Sequence, residues 1–430
     1  MTLVRYSRST VTALRRPVLA ICGGGNAGHA LAVVASQRFN GDILWLTSCE
    51  EKAEILRRGV FSESGLQSTG VIQGRADKVR LISCDPEQVI PRANLVMLAV
   101  PAFAHAPVLR QIAPFLRHDA CVGSLPSRSG FEFEATQLLG EPKGSRVLFG
   151  LQTLPWSTRV QEPGKTVNFG ALKAKVLLAT LPAEHAPRLA PRLSKILGIE
   201  LVPSANFLNM TLGNPGQIIH PGLMYGFFAR WHGEHYRQNT IPFFYADASD
   251  ETGKFVERLS NDVLRVARAI QRSSAGTVDL SGVLSIHDWL KISYPEQTKD
   301  ASTVATCFRT GPLQHRKAPM LEIDADCFVP NFAYRYLSED VPYGLAVTKA
   351  FAQIARVRTP ALDAVLKWAQ ERLGKHYLVD GALDGPDAQD LPIPQNAHID
   401  TLRDLVQWYA PARVTVPRAV SARMALAPSV

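Results

Sequence analysis

One segment near the start of the chain, PVLAICGGGNAGHALAVVASQ, limits the possible folds more than any other. Val18–Cys22 is apolar and β-prone, Gly23, Gly25 and Gly28 follow it in G-x-G-x-x-G spacing, and a helix is predicted from about Asn26. Glycine at these places permits a tight turn and lets backbone approach a pyrophosphate. The first N–H groups of the helix then face the anion. The turn Gly23, Gly24, Gly25, Asn26, Ala27 and Gly28 is therefore the candidate dinucleotide cradle.

Further apolar runs follow at Ile43–Leu46, Val79–Ile82, Leu95–Val100, Cys121–Leu125, Val147–Leu151 and Val176–Ala179, several of them separated by helical stretches. Continuous apolar strands suit a sheet covered on both faces, so this half reads as α/β, a doubly wound, mostly parallel Rossmann sheet. Beyond about Pro203 helical periodicity dominates, at Glu251–Arg272, Gly344–Val357, Ala361–Leu373 and Ile399–Tyr409. The expected division is a basic extension (1–16), a dinucleotide-binding domain (17–203), a mostly α-helical domain (204–410) and a tail (411–430).

The formal charge of +9 resembles a nucleic-acid signal until it is located. Arg5, Arg8, Arg15 and Arg16 at one end, and Arg413, Arg418 and Arg423 at the other, lie in acid-free segments and carry most of it. What remains has no basic stripe of the kind that neutralises phosphates, so nucleic-acid binding is not expected. No stretch gives the roughly 20 uninterrupted apolar residues of a membrane span. The six cysteines show no zinc spacing, and reduced thiols in a cytoplasm fit them best. The Arg- and Ser-rich opening has the composition of a transit peptide, but the plainer reading is a disordered extension.

At the end of the second strand, where an acid would hold a ribose, Thr47 stands instead, with Glu50 and Glu51 a few residues later and no arginine adjacent for a 2′-phosphate. The lean is to NAD over NADP. Pro101 stops the strand of NLVMLAVPAF at the carboxyl edge and would shape a nicotinamide wall, or simply a turn. Arg128 in SLPSRSGF and Arg159 in LQTLPWSTRV follow strands, where a guanidinium is able to clamp a carboxylate, or to remain a surface charge. On local grounds alone, His220 in NPGQIIHPG reads as a packed core histidine and Asp340 in RYLSEDVPYG as a helix N-cap.

The ordered set CGGGNAGHAL, VPAFAHAPVL, SLPSRSGFEF, LQTLPWSTRV, NPGQIIHPGLM, NFAYRYLSEDVPYG and KWAQERLGKHYLVDGALDG, from residue 22 to residue 385, resembles the opine dehydrogenases of the octopine dehydrogenase type. The resemblance implies a Rossmann domain followed by a helical opine dehydrogenase domain, with the active site between them and closure over NADH. It implies condensation of a 2-oxo acid, usually pyruvate, with the amine of an amino acid or taurine, and reduction of the imine, as in anaerobic glycolysis. His220 becomes the acid/base group, Asp340 its orienting partner, and Arg335 a contact to the cofactor phosphates. No metal is needed, and a monomer suffices.

Two departures bear on the substrate. Arginine-using relatives have Gln where this chain has Arg128, and Glu where it has Gln152, next to Thr153. A less anionic pocket disfavours a guanidinium, so taurine, alanine, glycine and β-alanine are the expected amines, with Arg128 as partner for a sulfonate. Two rivals remain: a 2-oxo acid reductase of the ketopantoate type, and a non-catalytic dinucleotide sensor.

Overall fold

The computed structural model describes residues 16–140 and 146–410, so the expected extension before Arg16 and the expected tail lie outside the described residues. Twelve strands precede the helical half: β1 (Val18–Cys22), β2 (Asp42–Leu46), β3 (Gln67–Gly70), β4 (Gly74–Arg75), β5 (Val79–Ser83), β6 (Leu95–Leu98), β7 (Cys121–Ser124), β8 (Val147–Leu151), β9 (Trp156–Glu162), β10 (Thr166–Leu172), β11 (Lys175–Leu181) and β12 (Glu200–Pro203).

Eight of them form one sheet in the order β12-β11-β8-β7-β6-β1-β2-β5. From β5 to β8 every pairing is parallel, and β11 joins β8 antiparallel. This is the doubly wound Rossmann sheet that the apolar runs predict. Its strand order reverses between β1 and β6, and the cleft at the carboxyl ends of these strands is where such sheets bind ligands. The expected strand through Val100 ends at Leu98, and β12 carries too short an apolar run to announce itself.

A second sheet, β4-β3-β10-β9, was not apparent in the sequence. Trp156–Glu162 alternates β-prone Trp156, Thr158 and Val160 with polar Ser157, Arg159 and Gln161, so it lacks the continuous apolar run on which the strand reading relied. Its signal is the alternation itself, followed by a turn at Gly164. This sheet carries the end of LQTLPWSTRV into a wall beside the cleft.

The second half is helical, as expected. Asp250–Ser273 buries Leu259, Val263, Val266 and Ile270 on one face, and Ser249 caps it by accepting from the Thr252 N–H. Gly216–Phe228, which carries His220, packs on this helix, and Pro360–Leu373 packs on both. The stretch expected as one helix over 344–357 divides into a wider turn, Val341–Ala346, and Val347–Ile354, with Tyr343 outside helical geometry. A hairpin of β13 (Met320–Asp324) and β14 (Cys327–Pro330) interrupts this half. No helix among the described residues is long and apolar enough to cross a membrane.

Candidate active site

A cavity of about 370 Å³ opens where the glycine-rich turn meets the helical half. Gly25, Asn26, Ala27 and the Ala99–Pro101 segment after β6 line one wall. His220, Tyr336, Arg335 and Trp289 are among the residues of the other.

The first wall is made largely of backbone. Gly23 has φ +122°, and a Cβ there would lie 2.6 Å from the Ala99 carbonyl oxygen; at Gly28 it would lie 2.0 Å from the carbonyl oxygen of Gly23. These glycines let the turn, β6 and the helix Asn26–Arg38 approach one another. At Gly25 a Cβ would meet nothing within 4 Å, so the turn is open where a pyrophosphate approaches, and the residues present fit a dinucleotide. Asn26 ties the helix start to β9: its Oδ1 accepts from the Val160 N–H at 2.8 Å. Thr47 is placed as expected at the end of β2, but its side chain is buried and its hydroxyl donates to the Cys49 carbonyl at 3.0 Å. It shapes the turn and has no free hydroxyl for a ribose. Pro101 is exposed at the cavity edge.

The second wall is made of side chains. His220 Nδ1 pairs with Asp340 Oδ2 at 2.9 Å, which leaves Nε2 to exchange protons. Its ring stacks on Tyr336, with centroids 3.9 Å apart and planes at 15°. Burial lowers the His220 pKa, Asp340 opposes that, and Arg128 and Arg335 lower it further. The side chain remains 21% exposed, so water moderates the effect, but the direction leaves a neutral imidazole near neutral pH. The readings of His220 as a packed core residue and of Asp340 as a simple cap do not describe this arrangement.

Asp340 is completely buried. Burial alone would raise its pKa; Arg128, His220 and Arg335 outweigh that and hold it below the ordinary carboxylate value. Arg128, expected as a clamp for a substrate anion, is committed elsewhere. Its Nη1 donates to Asp340 Oδ1, and its Nε lies 3.3 Å from Glu339 Oε1. Two buried carboxylates already neutralise it, so its charge supports the His220–Asp340 pair from behind. The helix carrying His220 closes directly over this cluster, because a Cβ on Gly216 would lie 2.9 Å from Arg128 Nη1.

Glu339, the acid beside Asp340 in RYLSEDVPYG, was not singled out in the sequence, yet it joins the two walls. Its Oε1 accepts from the Ala102 N–H at 3.1 Å, beside Pro101, and its Oε2 lies 2.9 Å from Arg335 Nη2. Arg335 is thereby held at the cavity with part of its guanidinium exposed.

Gln152 does not line the cavity. Its amide Nε2 donates to the Gly213 carbonyl at 2.8 Å, because β8 ends against the turn that precedes the His220 helix. Thr153 does line it, and Arg159 stands exposed at its mouth on β9. Tyr336, Lys173 and Arg316 are among the lining residues that the sequence reading missed. Tyr336 lay within the quoted RYLSED segment, whereas no motif surrounds Lys173 or Arg316.

Fold and cleft together define a dehydrogenase of the dinucleotide-binding class, a Rossmann domain followed by a helical one, with a His–Asp pair at the cleft. Residues 203–373 match the family described as NAD/NADP octopine/nopaline dehydrogenase, alpha-helical domain. Tauropine dehydrogenase of Arabella iricolor is 32% identical over 404 residues, covering 90% of this chain and 100% of that protein. The structure of octopine dehydrogenase with NADH and L-arginine superposes with a TM-score of 0.77 at 30% identity, over 91% of this chain and 98% of that one. Its complex with NADH and pyruvate gives 0.76 at 28%, with the same coverage. The chain belongs to the octopine/nopaline dehydrogenase family, the opine dehydrogenases.

Proposed function

We propose that this protein is an NADH-dependent opine dehydrogenase, joining pyruvate to the amine of a small amino acid or taurine and reducing the resulting imine, reversibly. The observation that carries this reading is the His220–Asp340 pair, which opens on the same cavity as the glycine-rich turn. The nicotinamide, when bound, supplies the hydride.

The chain's own part is to position the reactants and move protons. As the amine nitrogen adds to the oxo acid carbonyl carbon, the carbonyl oxygen takes up a proton. That oxygen then leaves as water when the C=N bond forms. His220 Nε2 exchanges these protons, and Asp340, gripping Nδ1, fixes the tautomer and the ring. Arg128 tempers Asp340, so the imidazole returns to its neutral form instead of being trapped as an ion pair. Gly23, Gly24, Gly25, Asn26, Ala27 and Gly28 form the pyrophosphate cradle, Arg335 reaches the phosphates, and Pro101 and Thr153 border the reacting groups. In this reading the domains part at residue 203, the chain acts as a monomer in the cytoplasm, and the six reduced cysteines are structural.

The test is the rate of NADH loss with pyruvate, with and without arginine, taurine, alanine, glycine or β-alanine. Oxidation that requires both pyruvate and an amine supports the reading. Oxidation with pyruvate alone would transfer the protein to the ketopantoate-type reductases that form hydroxy acids.

A further inference from the structure

We propose that Lys173 and Arg316, in the part of the cavity walled by Trp289 and Tyr294, are the residues that hold the acid group of the amine substrate. The inference rests on the opine dehydrogenase reading and adds the residues that would select its amine.

Lys173 immediately follows β10 and is 7% exposed. Its ammonium donates to the Leu154 carbonyl at 2.7 Å and lies over the rings of Tyr294 and Trp289, 5.6 and 6.0 Å from their centroids. A lysine ammonium has three donors, and this carbonyl uses one. Arg316 donates to Ser157 Oγ at 2.5 Å and lies against Tyr336 and Tyr245. Among the described residues neither cation has a carboxylate within ion-pair distance. Both line the cavity.

A buried ammonium without a counter-ion is unfavourable, and burial together with Arg316 pushes Lys173 down to about 7. Arg316 cannot relieve the repulsion by losing its proton. Such a pair persists where an anion is meant to complete it. The rest of the lining agrees: among the described residues no Asp or Glu lines the cavity, whereas Arg128, Arg159 and Arg335 do. A guanidinium or ammonium side chain would find no counter-charge, and an acid group finds two.

Position also fits. Tyr336 stacks on His220 with one face and lies against Arg316, so one ring separates the anion site from the proton-exchanging imidazole. Trp289, Tyr294 and Phe308 close the surrounding space. A short amine whose acid end is fixed at this pair presents its nitrogen toward His220; taurine, β-alanine, glycine and alanine have that form.

The experiment measures initial rates with NADH and pyruvate for taurine and β-alanine, and for ethanolamine and agmatine, which have an amine but no acid group. The first pair is expected to turn over and the second pair to be poor by about 100-fold in kcat/KM. Lys173→Met and Arg316→Gln should each raise the KM for the acid-bearing amine about 10- to 100-fold, with the pyruvate KM moving less than about threefold. Lys173→Arg should recover most of the loss. Arg316 is partly exposed, so Arg316→Gln serves if Lys173→Met fails to fold, judged by thermal unfolding. Equal use of ethanolamine or agmatine overturns the inference, as does a rise confined to the pyruvate KM, which would make the pair the oxo acid's site. Failure of the underlying reading looks different: the wild type would show no amine-dependent oxidation with any of the four.

Discussion

The two walls of the cleft are built in opposite ways. The proposed dinucleotide wall centres on the six consecutive residues Gly23–Gly28, which act through backbone, and three glycines define it by what they lack. The substrate wall is assembled from Arg128, Lys173, His220, Arg316, Tyr336 and Asp340, brought together only by the fold. A backbone site needs a local conformation, which a short motif encodes. A side-chain site depends on neighbours far away in sequence, and its charges are set by partners that no motif displays.

The largest expected effect tests whether the substrate wall carries the chemistry. His220→Ala should lower kcat by about 100- to 10,000-fold while NADH affinity, measured by fluorescence titration, stays within about threefold. The pH profile sharpens the point. In the proposed mechanism opine oxidation uses neutral His220, so its kcat/KM should be flat above the His220 pKa and fall as pH drops through it. Burial, Arg128 and Arg335 place that limb below the ordinary histidine value, and Asp340 alone among the facing charges raises it. Asp340→Asn should therefore move the limb to still lower pH, with a large loss of kcat. A limb that moves upward would mean that Asp340 does not act on His220.

The corresponding attack on the backbone wall is Gly28→Ala. The added methyl would meet the Gly23 carbonyl at 2.0 Å, and neither backbone is free to give way. A loss of about 1–3 kcal/mol in stability is expected, with NADH affinity weakened about tenfold as the turn shifts. Gly25→Ala is the instructive partner. Its methyl enters open space, so thermal stability should hold within about 0.5 kcal/mol while NADH binding still suffers. If both variants lose only stability, the turn is structural and the comparison between the walls fails.

How much was legible follows the same division. The glycine turn, seven of the eight strands of the main sheet and the amphipathic helix over 250–273 announce themselves, because each obeys a short-range rule of spacing or periodicity. Arg128 and Gln152 show the limit. Both were singled out on residue type, yet Arg128 is spent on Asp340 and Glu339, and Gln152 on the Gly213 carbonyl. Residue type suggested an anion clamp and a substrate contact; the partners that decide otherwise lie some 60 to 210 positions away.

Glu132 belongs to the seam between the walls. Its carboxyl accepts from Tyr409 Oη and Thr211 Oγ1, both at 2.7 Å, and burial raises its pKa to about 7 despite those hydrogen bonds. A folded-state pKa above the unfolded value gives stability that is fully present below about pH 4.5 and lost as pH rises through about 7. Glu134, also raised to about 7, adds to the same loss. Glu132→Gln keeps an acceptor, and Thr211 Oγ1, which touches both carboxylate oxygens, is able to accept from the new amide. The variant should match the wild type at pH 5 and exceed it by about 2 kcal/mol at pH 8, read by denaturant unfolding. Equal stability at both values would show that the seam does not strain the carboxylate.

The smallest effect lies at the edge of the backbone wall, where the sequence offered only a lean. Thr47 is turned away from the strand end, and the exposed side chains just beyond β2 are Ser48, Cys49, Glu50, Glu51 and Lys52, with Lys52 Nζ donating to Ser48 Oγ at 3.1 Å and Glu50 paired with Arg57. No acid stands at the strand end itself; of the acids that follow, Glu50 is paired with Arg57, so a 2′-phosphate meets one solvated acid, Glu51, and one solvated lysine, Lys52. Such a charge is screened within about 8 Å at physiological salt and contributes little. NADPH should therefore be a poor but measurable substitute for NADH, and Lys52→Ala should lower its kcat/KM about threefold, with NADH changing less than about 1.5-fold. A tenfold loss with NADPH would mean that side chains, not backbone, govern cofactor choice, and would draw this wall closer in kind to the one opposite.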